Sequence, residues 1–94
     1  MEFAAIDFET TGYENGSGNE PWQLGVAIVR DFEIVETAEF FFKSSPLETW
    51  DDWYPLIGSR RLAAHNIATE RTILNRIAPL TRWGPWTDTM KLAK

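Results

Sequence analysis

Three short apolar segments, each closed by turn-forming residues, precede any helical periodicity in this 94-residue chain. They are Phe3–Ile6, Trp22–Val29 and Ile34–Phe42. Short runs rich in aromatic and β-branched residues favour strands over helices. Asp31 predicts a hairpin turn between the second and third segments, and the polar, glycine-rich stretch 13–21 predicts an exposed loop. The first half of the chain therefore predicts three successive strands.

Helical periodicity begins only in the second half. Thr49–Ile57 predicts a helix with Thr49 as its N-cap, shortened by Pro55. Ala68–Ala78 predicts a second helix, for which Asn66 is the N-cap. Two short strands and the start of a third helix are expected at Leu62–His65, Trp86–Asp88 and Thr89–Lys94. The order β-β-β-α-β-α-β-α predicts a single mixed α/β domain over residues 1–94.

Composition is that of a soluble globular protein. Hydrophobic residues make up 44% and charged residues 24% of the chain, which argues against disorder. The longest apolar runs are too short to cross a membrane, and the N-terminus lacks the basic and apolar regions of a signal peptide, so a cytoplasmic location is expected. The chain has no cysteine and one histidine, which excludes disulfides, a thiolate nucleophile and histidine-rich metal sites.

Charge is segregated along the sequence. Residues 1–54 carry twelve acidic and two basic residues (−10), and residues 55–94 carry two acidic and seven basic residues (+5), which together give the net charge of −5. This asymmetry is typical of an acidic metal-binding region beside a basic region that faces phosphate. Two ordinary solvated surfaces would give the same pattern.

Two acidic residues follow the first predicted strand. Asp7 and Glu9 are two positions apart, so an extended backbone places both carboxylates on one face. Converging carboxylate oxygens suit Mg²⁺ or Mn²⁺, and a pair of such ions can activate water for phosphodiester hydrolysis. The alternative is an acidic strand end that is simply exposed to solvent.

Glu70 is a third candidate, on the second predicted helix. Ile73, Leu74 and Ile77 follow it at helical spacing, so Glu70 shares the apolar stripe of that helix. A carboxylate directed at the core or its rim requires a partner, and a metal ion shared with the first two acids would be one. Alternatively, a glutamate in the first helical turn interacts with the helix dipole and reaches water.

The remaining polar and aromatic candidates have simpler interpretations. His65 and Asn66 could contact a substrate, although a core histidine and a helix cap are the favoured interpretation. Asp88 could face the same cleft, although capping of the final helix together with Thr87 is the favoured interpretation. The five tryptophans could stack on nucleic-acid bases, but most are expected to pack in the core.

Three segments, in order, resemble the DEDD superfamily of 3′-to-5′ exonucleases. IDFETTG (6–12) is similar to its first exonuclease motif, AHNIATE (64–70) resembles its second motif, and DTMKLAK (88–94) resembles the stretch that follows. Among the branches of the superfamily, the epsilon-like proofreading subunits are the most similar. The resemblance covers the whole chain and implies an RNase H-like fold, a mixed sheet of three antiparallel strands followed by βα units.

The resemblance also implies a role for individual residues. Asp7, Glu9 and Glu70 match acidic positions that bind Mg²⁺ or Mn²⁺ in a two-metal catalytic site. Asp88 matches a position that is not counted as catalytic. The expected substrate-binding residues, which match the turn beside the 3′-terminal nucleotide and the His-Asn pair of the family, are Thr10, Thr11, Gly12, His65 and Asn66.

Two departures from the family pattern affect these expectations. Glu70 stands where the family has aspartate, and the chain ends before the third motif, which supplies the last aspartate and the general-base histidine. The sheet is therefore expected to be incomplete at its C-terminus. Its uncovered face is expected to expose a tryptophan-rich apolar surface that favours a homodimer.

The resemblance thus implies a metal-dependent 3′-to-5′ exonuclease that releases nucleoside monophosphates from single-stranded DNA or RNA, weak or inactive as this chain alone. A DNA polymerase is a further expected partner. One alternative is a nucleic-acid-binding or polymerase-associated module that has lost catalysis, whose affinity would be independent of metal and steeply dependent on salt. Another is a structural interaction domain.

Overall fold

The computed structural model describes residues 2–10, 21–43 and 45–88. They form five strands and two helices. The strands are β1 (Glu2–Thr10), β2 (Pro21–Arg30), β3 (Glu33–Phe41), β4 (Arg61–Ala64) and β5 (Trp86–Asp88). The helices are α1 (Trp50–Ile57), which follows a 3₁₀ turn over Pro46–Thr49, and α2 (Ile67–Ile77). The predicted α/β class is confirmed, as is the order of the elements through β5. The predicted final helix and nearly all of the predicted 13–21 loop lie outside the described residues.

The strands form one mixed sheet in the order β3-β2-β1-β4-β5. β1, β2 and β3 form an antiparallel meander, whereas β4 pairs with β1 in parallel and β5 pairs with β4 in parallel. β1 is therefore the central strand. Its parallel pairing with β4 covers only Phe3 to Ala5, so the second half of β1 extends beyond the end of β4.

Side chains alternate across β1 between a covered face and an open face. Ala4, Ile6 and Phe8 are buried, whereas Asp7 and Glu9 are exposed. The buried face packs against residues of β2 and of both helices, namely Leu24, Val26, Ile28, Trp53, Ile57, Ile73 and Leu74. Both helices thus cover the same face of the sheet.

The aromatic residues gather on this covered face. Trp50 stacks on Tyr54 with ring centroids 4.4 Å apart, and Trp53 stacks on Trp83 at 6.4 Å. Trp53 is completely buried, and its indole N–H donates to the Pro46 carbonyl at 2.9 Å. The expected tryptophan-rich surface on the uncovered face is therefore wrong, because these rings fill the space between α1 and the sheet.

The predicted helix α1 is confirmed, with Thr49 at its N-cap and its end at Ile57. Pro55 lies inside the helix, which continues for two residues beyond it. Proline removes the N–H that would bond to the Asp51 carbonyl, and Asp51 is solvent-exposed, so this loss is tolerated near the helix start. Thr49 holds the N-cap position without a capping side-chain hydrogen bond. Ser45 caps the preceding 3₁₀ turn instead, where its Oγ accepts the Leu47 N–H at 3.2 Å.

The predicted turn at Asp31 is confirmed as a two-residue hairpin loop. Asp31 and Phe32 both have positive φ, at 51° and 70°. Two consecutive left-handed residues are the geometry that matches the twist of a tight hairpin, and they favour asparagine, aspartate or glycine. Phe32 is 92% exposed, so no packing of its ring offsets this backbone strain.

An ion-pair network that sequence reasoning missed joins the start of β1 to two other segments. Glu2 Oε2 accepts from Arg30 Nη2 at 2.7 Å, and Glu2 Oε1 accepts from Arg60 Nε at 2.9 Å. Arg60 also donates to the Leu56 carbonyl at the end of α1. The hydrogen bonds from Arg30 and then Arg60 lower the pKa of Glu2. One carboxylate therefore links β2 with the connection between α1 and β4.

Candidate active site

Asp7 and Glu9 lie on the open face of the sheet, in the half of β1 that extends past β4. Both side chains are exposed, as expected from strand periodicity. Their carboxyl groups are within hydrogen-bonding reach of each other. The predicted pairing of the two acids on one face is confirmed.

Glu70 is brought to the same strand by α2. Its Oε1 accepts the Phe8 backbone N–H at 3.1 Å, and only 3% of the residue is exposed. Phe8 lies between Asp7 and Glu9 in the sequence, so Glu70 contacts the backbone of β1 between the other two acidic residues. The expectation that Glu70 turns inward and requires a partner is confirmed, and the partner is a backbone amide that sequence reasoning did not identify.

The end of β4 explains why this amide is available. The Phe8 N–H points away from β2, towards the position that a continued β4 would occupy. The pairing of β4 with β1 ends at Ala5 and Ala63, and the chain turns into α2 within a few residues. A buried backbone N–H needs an acceptor, and the Glu70 carboxylate supplies it.

Burial and neighbouring charge raise the pKa values of Glu70 and Glu9. Burial is the largest cause that raises the pKa of Glu70, and the negative charges of Asp7 and Glu9 raise it further. The hydrogen bond from Phe8 opposes these effects in part. The pKa of Glu9 is raised by its hydrogen bond with Asp7 and by repulsion from it. At neutral pH this end of β1 therefore concentrates unfavourable negative charge.

The described residues supply no positive charge to balance these acids. Asp7, Glu9 and Glu70 form no ion pair with a described lysine or arginine, whereas Glu2 pairs with two arginines. Carboxylate oxygens without a basic partner are the donors that Mg²⁺ and Mn²⁺ prefer, so Asp7 and Glu9 fit such an ion. Within the described ranges, no three side chains are arranged as a complete metal-binding group. Glu70 is engaged by the Phe8 amide instead.

A groove of about 720 Å³ begins at Asp7 and crosses the open face of the sheet. Its floor includes Ala5, Gly25 and Ala27, and its borders include Glu39 and His65. Short side chains form this floor, because Ala5 pairs with Ala27 and Gly25 pairs with Asp7. Sequence reasoning missed Glu39, since its position opposite Gly25 depends on the β2–β3 register.

The other expected site residues are placed unequally. His65 is exposed at the border of the groove, so its interpretation as a core histidine is wrong. Asn66 is the N-cap of α2, and its side chain accepts the Thr69 N–H at 3.4 Å, as predicted. Thr10 ends β1 and is half-buried. Thr11 and Gly12 lie outside the described residues, as do the side chain of Asp88 and the helix it was expected to cap.

Basic residues approach the opposite edge of the sheet. The Arg71 guanidinium lies 5.8 Å from the centroid of the Trp86 ring, and Arg61 Nη1 donates to Thr87 Oγ1 at 3.4 Å. Acidic β3 therefore forms one edge of the sheet, and β5, which Arg71 of α2 and Arg61 of β4 contact, forms the other. The charge segregation of the sequence is retained in the fold.

Comparison with known proteins adds no family assignment: no protein-family model matches the chain, and no curated protein matches it. Among the described helices, none is long and apolar enough to cross a lipid bilayer.

Proposed function

We propose that this chain carries the metal-binding part of a 3′-to-5′ exonuclease site of the DEDD type on an RNase H-like sheet. The substrate class is the 3′ end of single-stranded DNA or RNA. The single observation that carries the proposal is the 3.1 Å hydrogen bond from Phe8 N–H to Glu70 Oε1. It joins the acid of the second motif to the strand that carries both acids of the first motif.

The acidic residues have distinct parts in this proposal. Asp7 and Glu9 would hold Mg²⁺ or Mn²⁺, and Glu70 adds negative charge to the same site from its position at Phe8. A divalent cation held there would supply a polarised water and would stabilise the departing oxygen of a phosphodiester. The exposed carboxylates leave that side of the site accessible to a nucleic-acid end.

The groove supports an open approach for substrate. His65 borders it and is positioned at the same end of the sheet as Asp7. Its apolar floor suits contact with a planar base or a sugar, while phosphate requires positive charge near Asp7 and Glu9. That requirement links substrate binding to the cation, because no described basic side chain pairs with these acids.

The test is a calorimetric titration with Mn²⁺ on the wild type, Asp7→Ala and Asp52→Ala. Asp52 is an exposed acid in the first turn of α1, so its removal changes net charge equally without touching the proposed site. Wild type and Asp52→Ala should take up Mn²⁺, and Asp7→Ala should not. A single-stranded oligonucleotide labelled at its 5′ end should be shortened from its 3′ end by wild type and Asp52→Ala, and not by Asp7→Ala.

Two outcomes contradict the proposal. Absence of both Mn²⁺ uptake and shortening in folded wild type rules out the site. Oligonucleotide binding that is independent of Mn²⁺ and falls steeply with salt instead favours a binding module without catalysis. The observation that favours this second function, a binding module without catalysis, is the incomplete metal-binding group among the described side chains.

A further inference from the structure

β3 is an edge strand of the sheet, and its outer backbone groups have no partner strand among the described residues. The Phe42 N–H donates to the Trp22 carbonyl at 2.9 Å, so Phe42 directs its backbone groups inward to β2. The direction of the backbone N–H and C=O groups alternates along an antiparallel strand. The backbone groups of Ala38 therefore also point towards β2, whereas those of Thr37 and Glu39 point away from it. The outer edge therefore offers regularly spaced donors and acceptors to another strand.

Exposed apolar side chains concentrate along this edge. Among the described residues with large exposed apolar side chains, four lie on β3 or its hairpin turn, with exposures of 92% for Phe32, 66% for Ile34, 49% for Val35 and 62% for Phe41. An edge strand with such side chains is a template for pairing with another chain. The open question is which strand it accepts.

We infer that β3 pairs antiparallel with β3 of a second copy of this chain, in a register centred on Ala38. Around a two-fold axis, this register places Glu36 opposite Phe40 and Glu39 opposite Thr37, so no acidic residue faces another. A register centred on Glu36 or Glu39 would place two identical glutamates face to face, which is destabilising. Two copies of β3 can thus pair without placing glutamates opposite each other only in particular registers.

The bulge in β3 favours the Ala38 register over one centred on Thr37. Pairing of β2 with β3 shifts between Ile28 and Val29, opposite residues 34–36. A ladder centred on Ala38 uses the regular stretch 36–40 and ends where this irregularity begins. A ladder of the same length centred on Thr37 would span residues 35–39 and would include the irregular residue Val35.

Net charge makes the association weak and dependent on salt. Each chain carries a net charge of −5, and β3 contributes three glutamates to the edge. Repulsion between two such edges is screened as ionic strength rises, so dimerisation should strengthen with salt. This inference does not depend on the metal site, and its test uses no metal or nucleic acid.

Introducing a positive or a negative charge at Thr37 tests the register. Sedimentation equilibrium at protein concentrations up to the millimolar range measures the dissociation constant of the dimer. Thr37→Lys would face Glu39 twice in the dimer and should lower the dissociation constant roughly 2- to 30-fold. Thr37→Glu should raise it by a similar factor, and the double variant Thr37→Glu/Glu39→Lys should restore association. Thr37 is exposed, so these substitutions do not enter the core, and circular dichroism verifies that each variant is folded.

Cysteine cross-linking gives an independent measurement, because the natural chain has no cysteine. Ala38→Cys would place two thiols at a non-hydrogen-bonded pair with Cα atoms about 4.5 Å apart, within disulfide reach. Glu36→Cys is the matched control, since its two copies are separated by roughly 13 Å along the ladder. Rapid oxidation of Ala38→Cys alone supports the register.

Three results would overturn the inference. Wild type that remains monomeric at all concentrations and salt levels excludes the dimer. A dimer unaffected by either Thr37 substitution uses another surface. A dimer that Thr37→Lys weakens, or that cross-links through Glu36→Cys, pairs in a different register.

Discussion

The Glu70 carboxylate accepts the Phe8 backbone N–H at 3.1 Å, across 62 positions of sequence. The contact satisfies an amide that β4 leaves unpaired, and it also places a third negative charge beside Asp7 and Glu9. One side chain thus contributes a favourable hydrogen bond and an unfavourable charge. Substitution can separate the two contributions.

Glu70→Gln should stabilise the protein in the absence of metal, and Glu70→Ala should destabilise it. Glutamine keeps an oxygen for Phe8 and removes the buried charge. Alanine leaves the Phe8 N–H buried without an acceptor, at a cost of roughly 1–3 kcal/mol. Urea unfolding at neutral pH, in the presence of a metal chelator, measures the change in the free energy of unfolding for both variants. Equal destabilisation by the two variants would show that the charge itself is favourable.

The stability difference between wild type and Glu70→Gln should depend on pH. The raised pKa of Glu70 means that the folded chain holds a proton that the unfolded chain releases, so the wild type loses stability as pH rises from the ordinary glutamate pKa through the raised one. Below that interval the contribution is fully present.

Urea midpoints of the two proteins from about pH 4 to about pH 8 test this slope. Glu2 has a lowered pKa and acts with the opposite sign, but it is common to both proteins and cancels in the difference. A wild type that gains stability relative to Glu70→Gln as pH rises would contradict the prediction.

Mn²⁺ should raise the thermal midpoint of the wild type and leave that of Asp7→Asn nearly unchanged. A ligand bound only by the folded state stabilises it by about 2.7 kcal/mol at a concentration one hundred times its dissociation constant. Differential scanning calorimetry with and without Mn²⁺ measures the shift, and Asp52→Asn is the control of equal charge. A similar shift in all three proteins would indicate binding elsewhere.

Gly84→Ala should be strongly destabilising, whereas Gly25→Ala should be tolerated. A methyl group on Gly84 would lie 2.1 Å from the Arg60 carbonyl oxygen, and a backbone atom cannot move aside cheaply. At Gly25 the nearest atom, the Asp7 carbonyl oxygen, would be 3.7 Å away, an ordinary contact. Thermal unfolding of both variants compares the sites directly. Equal midpoints would mean that the loop before β5 shifts freely.

Phe32→Gly should stabilise the hairpin. A left-handed conformation costs a non-glycine residue roughly 1–2 kcal/mol, and the exposed ring of Phe32 recovers none of it through packing. Glycine loses part of this gain through the greater freedom of the unfolded chain. A rise in the thermal midpoint is expected, and Phe32→Ala, which keeps the strain, should show none.

The sequence predicted those features that depend on local periodicity. Alternation along β1 was enough to place Asp7 and Glu9 on one face, and the apolar stripe of α2 was enough to turn Glu70 inward. The identity of its partner was not accessible, because it depends on where β4 stops relative to β1. The same holds for Glu39 at the groove, which depends on a register shared by two strands.

Predictions from local sequence were wrong where the structure around a residue determined its environment. Pro55 is tolerated because the carbonyl that loses its bond belongs to an exposed residue near the helix start. His65 resembled a core residue in a short apolar run, yet the strand ends just before it and the side chain is exposed. Neither fact can be read from spacing.

The central position of β1 sets an order of assembly. Its antiparallel neighbour is joined through contacts nearby in sequence, whereas the parallel pair Phe3 and Arg61 closes a loop of more than fifty residues. Loop-closure entropy makes distant contacts slow to form, so the meander precedes the docking of β4 and α2. A chain caught between these steps holds Asp7 and Glu9 together without Glu70. Completion of the acidic site therefore depends on a long-range contact, because Glu70 joins Asp7 and Glu9 only when α2 docks.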